Sequence, residues 1–373
     1  MHYFEYATKD TTLYEQSASM NTGLDEILEI RKDMNEDGSV VNVSRAIIKF
    51  DLTYVSKSIS SGLIPSSSTY PKFYLNLYDA SSRELNVSQT LYGYPTSQSW
   101  DNGSGKYFYS PIVEDGAGWK WKDNVTGRTQ WNTISGSGGT WYSGSGYEAS
   151  QSFTNEPADL RMDVTDIVWR WLHSTVPNEG FMLKRSGSIG NIDSNVDEGN
   201  TTRLGQFSFF SRETNTIYPP KLEVVWDDSK WTTGSLSALS SDNLEDMTLY
   251  MKGLREKYKE SSKVKFRVVG RERYPEKTFS TTGYSTGYLT VKTLPSGSTY
   301  YQIKDAYTED VVVPFGSGSK VSCDSTGNYF NFWMNGLQSE RFYRINYKIV
   351  SGSGTADETV QYFDEKHSFK VVR

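Results

Sequence analysis

The chain has 373 residues, enough for two or three domains with well-buried cores. It carries 31 Gly, 26 Tyr, 17 Phe and 10 Trp, and Gly/Ser-rich turns divide short aromatic and β-branched runs, which points to an all-β protein. The formal charge of -6, with Lys and Arg scattered, supplies no basic stripe for nucleic-acid phosphates and no attraction to an acidic membrane, and the single Cys323 permits no internal disulfide and reads as a small core residue.

The opening MHYFEYATKDTTLYEQ lacks a basic region followed by an apolar core, so no secretory signal is expected, and no apolar run approaches membrane-spanning length. From Tyr3 to about Trp226 the chain reads as one large β unit. Phe4 to Leu13 and Glu26 to Arg31 are strand-like, and a turn at Asn35 to Ser39 leads into VNVSRAIIKFDL, where Ala46, Ile48 and Phe50 alternate with Ile47 and Lys49. Phe73, Leu75 and Leu77 repeat the same period-two pattern. Asp33, Asn35 and Asp37, with Gly38, spell the first half of a calcium loop, whose oxygens alternate inward before a glycine turn. Ser44 stands at the twelfth position where an EF-hand has Glu, and an ordinary Asp-Gly hairpin turn explains the same letters.

Residues 95–150 change texture, being rich in Gly, Ser and Asn with Trp100, Trp119, Trp121, Trp131 and Trp141 spaced along them. Loops of this length need pinning, so these indoles are expected as buried anchors. The alternative is an exposed aromatic platform for a sugar, with Trp119 and Trp141 as the stacking residues. DVTDIVWRWL, Asp163 to Leu172, predicts a helix capped by Asp163 with Asp166 in capping-box position and an apolar stripe of Val164, Ile167, Val168, Trp171 and Leu172. GFMLK, Gly180 to Lys184, resumes as a strand. In FFSRETNTIYPPKLEVVW, Phe207 and Phe209 share one face, a polar turn follows, and Pro219 and Pro220 enter a strand with Leu222, Val224 and Trp226 inward and Lys221 and Glu223 outward.

After Trp226 the spacing of Leu244, Met247, Tyr250 or Met251, and Leu254 predicts a helical linker over Asn243 to Glu260, weakened by Gly253. From Lys263 a second β domain follows, with runs at fairly regular intervals that fit an immunoglobulin-like sandwich and with Trp333 as a core aromatic. The expected layout is a β-sandwich over 1–227, a linker with a helix over 228–262, and an immunoglobulin-like β domain over 263–373.

Catalytic constellations are not evident. His2, His173 and His367 lack zinc or triad spacing and read as surface residues, and Gly103-Ser104-Gly105-Lys106 is followed by Tyr107 where a phosphate loop has Ser or Thr. No pair of carboxylates is singled out. A non-enzymatic protein without a cofactor is expected, calcium being the one ion considered.

SRAIIKFDL, DVTDIVWRWL, GFMLK and FFSRETNTIYPPKLEV occur in the order and approximate spacing of the DNRLRE-type β-sandwich, and the chain over roughly 1–227 resembles that jelly-roll-like, carbohydrate-binding-module-like family. The long Trp/Gly/Ser region departs from a minimal module. Over most of its length, with NLEDMTLYMKGLREKY, CDSTGNYFNFWMNGLQSERFYRI and the closing HSFKVV, the chain resembles virion structural proteins of contractile-tailed cyanophages. That resemblance implies a particle component of the tail, neck, baseplate or fibre attachment, present in multiple copies and contacting other virion proteins. Assembly in the host cytoplasm and release by lysis would accommodate the absent signal. The resemblance supplies no catalytic residues. The DNRLRE resemblance, with the loop tryptophans, suggests the alternative of a carbohydrate-binding adhesin recognising host surface glycans.

Overall fold

The computed structural model describes residues 1–34, 41–67, 71–85, 87–124, 128–132, 138–186, 198, 202–239, 244–275, 279–280, 283–284, 291–352 and 354–373. The protein is all-β, with few helices and several sheets, and the chain forms two compact units. One is Glu5–Val224, and the other combines Met1–Phe4 with Val225–Arg373.

In the first unit, period-two apolar runs become strands and the Gly/Ser-rich stretches become their connections. The strands are β1 (His2–Tyr14), β2 (Ile27–Met34), β3 (Val41–Phe50), β4 (Lys72–Leu77), β5 (Gln89–Pro95), the short pair β6 (Trp121–Asp123) and β7 (Thr129–Gln130), β8 (Ala149–Phe153), β9 (Leu160–Asp163), β10 (Phe181–Lys184), β11 (Gly205–Phe210) and β12 (Lys221–Val225). Strands β8, β5, β10, β3, β1, β12, β4 and β9 neighbour one another in that order, while β2 joins β3 to β11. Strand β3 is shared: Val41 to Val43 pair with β2, and Ala46 to Ile48 with β10. Strand β1 carries an irregularity between Ala7 and Lys9, beyond which it runs antiparallel to β3 as far as Tyr14 opposite Ser44. Shared and bulged strands of this kind form the corners of a sandwich.

The sandwich interior takes the residues expected of it. Phe207 and Phe209 are fully buried and stacked 6.0 Å apart, with Phe153 4.7 Å from Phe207, and Leu222 and Val224 are equally buried. The outward expectation for β12 is corrected, because Lys221 and Glu223 are buried too. As a strand between β1 and β4, β12 has its second face roofed by side chains: Lys221 lies near the Tyr6 and Tyr78 rings, and Glu223 takes a 2.9 Å ion pair from Arg161. Burial pushes the Lys221 ammonium down to about 8, partly offset by Glu223.

Helix α1 (Thr53–Ser60), unforeseen in the sequence, begins where Asp51 Oδ1 accepts from the Thr53 amide (2.9 Å) and hydroxyl (2.6 Å). The expected helix at 163–172 is α2 (Thr165–Leu172). Asp163 ends β9 and accepts from the Thr165 amide at 3.0 Å, and no reciprocal capping box forms. Val168 and Ile167 are buried, and Trp171 packs 4.6 Å from Phe181.

Among its described residues the second unit holds two main sheets. Strands β13 (Met247–Lys252), β15 (Lys263–Glu272), β21 (Gly327–Trp333) and β20 (Ser322–Asp324) form one, in that order. Strands β14 (Lys257–Lys259), β23 (Thr359–Val372), β22 (Phe342–Ser351), β18 (Thr299–Asp305) and β19 (Val311–Val313) form the other. Their facing residues, among them Phe266, Phe330, Tyr301, Tyr347 and Phe369, make one core, so this unit is also a β-sandwich. The small hairpin of β16 (Phe279–Ser280) and β17 (Gly283–Tyr284) lies apart from both sheets.

Three expectations are corrected here. The described residues of the expected linker, 228–239 and 244–262, belong to the second unit, and the helical part among them is the 3₁₀ turn Leu244–Asp246. Met247, Leu249 and Met251 also fit a period of two, and pairing with β15 selects that reading before Gly253, at φ +72°, ends the strand. Trp333 is half-buried: Phe330 and Phe332 take the core side of β21, and Lys263 lies over the Trp333 ring at 5.0 Å. Cys323 is buried as expected.

Candidate interaction surface

The excursion between β5 and β8 is a plate laid on the outer face of β1, β3 and β10. Leu13, Ile47 and Met182 project from that face, and Trp100, Trp131 and Trp141, none more than 5% exposed, close over them with Tyr94 and Ala117. Burying a large apolar side chain contributes roughly 1.5–3 kcal/mol, so the anchoring role is substantial. The indole nitrogens of Trp100 and Trp131 donate to the carbonyls of Glu179 (2.8 Å) and Gly118 (2.9 Å). The left-handed backbone at Gly139, φ +87°, favours glycine, and an added Cβ would also push against Met182 Cε, 2.2 Å away.

Beneath this plate lies a charge cluster that sequence reasoning missed. Arg45 Nη2 and Lys184 Nζ both reach Glu198 Oε2 at 2.9 Å, and Arg45 Nη1 donates to the Gly138 carbonyl at 2.7 Å. Burial opposes ionisation of Glu198, but the Arg45 and Lys184 charges outweigh it and hold this carboxyl below its usual range. The Arg45 guanidinium lies 4.8 Å from the Trp119 ring and 5.0 Å from that of Trp141, and Lys184 is 5.1 Å from Trp141. Trp119 and Trp141 are thus brought together, but around cations: Trp141 is buried and Trp119 half-buried beneath the guanidinium. The burial of Trp141 makes it a packing residue, while Trp119 keeps part of its ring exposed beside the guanidinium.

The other candidates are dispersed. Asp33 lies in β2 opposite Asn42, with Oδ1 2.9 Å from Arg203 Nε, while Asn35 and Asp37 fall outside the described residues. Among the described residues no group of three His, Cys, Asp or Glu side chains is placed to hold a metal. His2 is buried, which corrects the surface expectation; His173 is exposed and stacked 5.0 Å from Trp169; His367 is half-buried. No described helix is long and apolar enough to cross a membrane.

The Gly103–Lys106 stretch has its polar groups committed internally. Asn21, fully buried, donates through Nδ2 to the carbonyls of Asn102 and Ala117 (2.8 Å each) and accepts at Oδ1 from the amides of Gly23 (3.1 Å) and Gly105 (2.9 Å). Asn102 answers by donating to the Gly23 carbonyl (2.7 Å) and accepting from the Asp10 amide (3.0 Å). Asp115 accepts from the Ser104 amide (2.9 Å) and hydroxyl (2.6 Å), and Lys106 pairs with Glu26 at 2.6 Å. Buried polar side chains matched in this way hold the loop's root in place. At its tip stand Tyr107, Phe108, Tyr109 and Ile112, all exposed. The sequence signal for this lock was the pair Asn21-Thr22-Gly23 and Asn102-Gly103, short polar side chains beside glycines that permit close backbone approach.

No family model matches the chain, and no curated protein matches it.

Proposed function

We propose that this chain is a non-enzymatic structural component of a bacteriophage virion, placed in the tail, neck, baseplate or fibre-attachment region and acting through protein–protein contacts. The supporting observation is the locked excursion. The described parts of the excursion, which would otherwise be loose loop, are pinned by buried indoles, the Arg45–Glu198–Lys184 cluster and the Asn21–Asn102 lock. A particle component needs surfaces that keep their shape before the partner arrives, because ordering a loop at the moment of contact subtracts from the affinity. The ordered sequence motifs of the DNRLRE-type sandwich and the full-length likeness to cyanophage virion proteins point the same way. The cytoplasm of an infected host is the corresponding place of synthesis, and the virion the place of residence.

Mass spectrometry of purified particles, followed by cryo-EM localisation, tests the reading. The expected result is the full chain present in several copies at one position, and its absence from mature particles would refute the proposal.

A further inference from the structure

Large apolar side chains are ordinarily withdrawn from water, and isolated exceptions are common, but the tip of the 104–115 loop exposes four within six positions. Phe108 is 89% exposed, Ile112 46%, Tyr109 44% and Tyr107 37%. The backbone carrying them is not free to fold them away. Besides the Asn21 and Asp115 bonds, the Tyr109 amide donates to the Lys106 carbonyl at 3.1 Å and the Asn21 amide to the Val113 carbonyl at 2.9 Å. Tyr107 leans on Tyr14 at 5.1 Å and meets Phe108 edge-on at 5.1 Å, which holds the Phe108 ring outward.

Around the base runs an acidic collar. Five carboxylates, Asp25, Glu26, Glu29, Glu114 and Asp115, stand here, and the two cations paired with them, Lys106 with Glu26 and Arg31 with Glu29, leave the acidic charge in excess. The crowding registers on Asp25, whose carboxyl is pushed up first by burial and then by Glu26 and Glu29. A rigid aromatic centre inside a charged rim is the anatomy of a protein interface anchor.

We propose that this tip is a docking knob and that Phe108 seats in an apolar pocket, rimmed by Lys and Arg, on a neighbouring protein of the particle. The assignment rests on the virion reading above. The collar decides among occupants. An anionic lipid surface would be repelled by it, and an isologous contact with a second copy would set collar against collar in a chain already at -6. A basic rim is attracted, and the contact weakens with salt.

The test places p-benzoyl-L-phenylalanine at position 108 of the full chain, in cells producing the particles, and irradiates before purification. The expected result is a crosslink to a different particle protein, at a pocket bordered by Lys or Arg. In parallel, Phe108→Ser is expected to lower incorporation at least tenfold with an unchanged melting temperature, and Glu114→Arg to lower it several-fold. Crosslinks to lipid or to a second copy, or none at all while the chain is incorporated normally, overturn the knob and leave the virion reading intact. A wild-type chain missing from particles overturns the virion reading. Full incorporation of a folded Phe108→Ser chain overturns the knob regardless of the crosslinking result.

Discussion

Asp10 offers a quantitative test of how the first unit is built. It sits in β1, is 1% exposed, and accepts a 2.6 Å hydrogen bond from the Arg212 amide in the turn after β11, while its own amide donates to Asn102. Burial pushes its carboxyl up to about 7, against the opposing pull of the Arg212 amide and guanidinium. A folded-state value above the unfolded one means that the native state holds the proton more tightly. The corresponding stability is present in full below the unfolded value of 3.8 and is lost as pH rises through about 7. Between pH 5 and pH 8 the unfolded carboxyl is already ionised while the folded one gives up its proton, a loss of about 2.5–3 kcal/mol from this group alone.

Asp10→Asn keeps an acceptor for Arg212 and removes the titration. Urea unfolding at pH 5 and pH 8 reads the difference through tryptophan fluorescence, since seven of the ten tryptophans lie in Glu5–Val224. The wild type is expected to lose about 2.5–3 kcal/mol more than the variant over that interval, and the variant to be the more stable at pH 8. Parallel pH profiles for the two proteins would refute the reasoning, because they would mean that the Asp10 carboxyl titrates as it does in the unfolded chain.

Arg185, fully buried at the end of β10, donates to Gln89 Oε1 and to the carbonyls of Ile30, Leu204 and Gly205 at 2.9–3.2 Å, so Arg185→Leu is expected to cost about 3–5 kcal/mol; an unchanged urea midpoint would contradict this. Asn21→Ala removes four hydrogen bonds inside the loop lock, and a loss of about 2–4 kcal/mol is expected, with faster amide exchange at Gly23 and Gly105 as the direct readout. The hydroxyls of Tyr301 and Tyr347 are buried in the second core with no hydrogen-bond partner among the described residues, so Tyr301→Phe and Tyr347→Phe are expected to leave stability unchanged or raise it by about 1 kcal/mol. A clear loss in either calorimetric melt would place a buried water on that hydroxyl.

Period-two runs such as Phe207/Phe209 and Leu222/Val224 were legible because one face of a strand must be apolar whatever covers the other. What covered the other face was not legible. Lys221 and Glu223 look like a solvent face in sequence, yet each finds its cover, Tyr6 with Tyr78 and Arg161, from segments far away in the chain. The same limit applies to Trp119 and Trp141: the sequence places aromatic residues in a loop, while their immediate neighbours, Arg45 and Lys184, come from distant strands that no local reading supplies. Over Met247 to Met251 the apolar spacing satisfied both a helix and a strand, and long-range pairing with β15 decided between them. The exposed tip was readable as Tyr107-Phe108-Tyr109 but not as exposed, since nothing local says that an aromatic triplet stays outside.

The position of that tip traces back to a single residue of the sandwich. Asp10 takes the Arg212 turn on its carboxylate and gives its amide to Asn102, which grips Gly23. Asn21 in turn holds both Asn102 and Gly105, at the root of the exposed loop. The root of the knob is therefore connected to β1 through a chain of hydrogen bonds, and β1 is paired with β3 beneath the tryptophan plate. A partner meeting Phe108 meets the whole first unit as a lever. A displacement of the loop's root breaks the Asn21 bonds to Asn102 and Gly105, at about 1 kcal/mol each. Contacts made through such a tip keep their geometry under load, which is the property that a particle joint requires and that a mobile sugar-seeking loop does not.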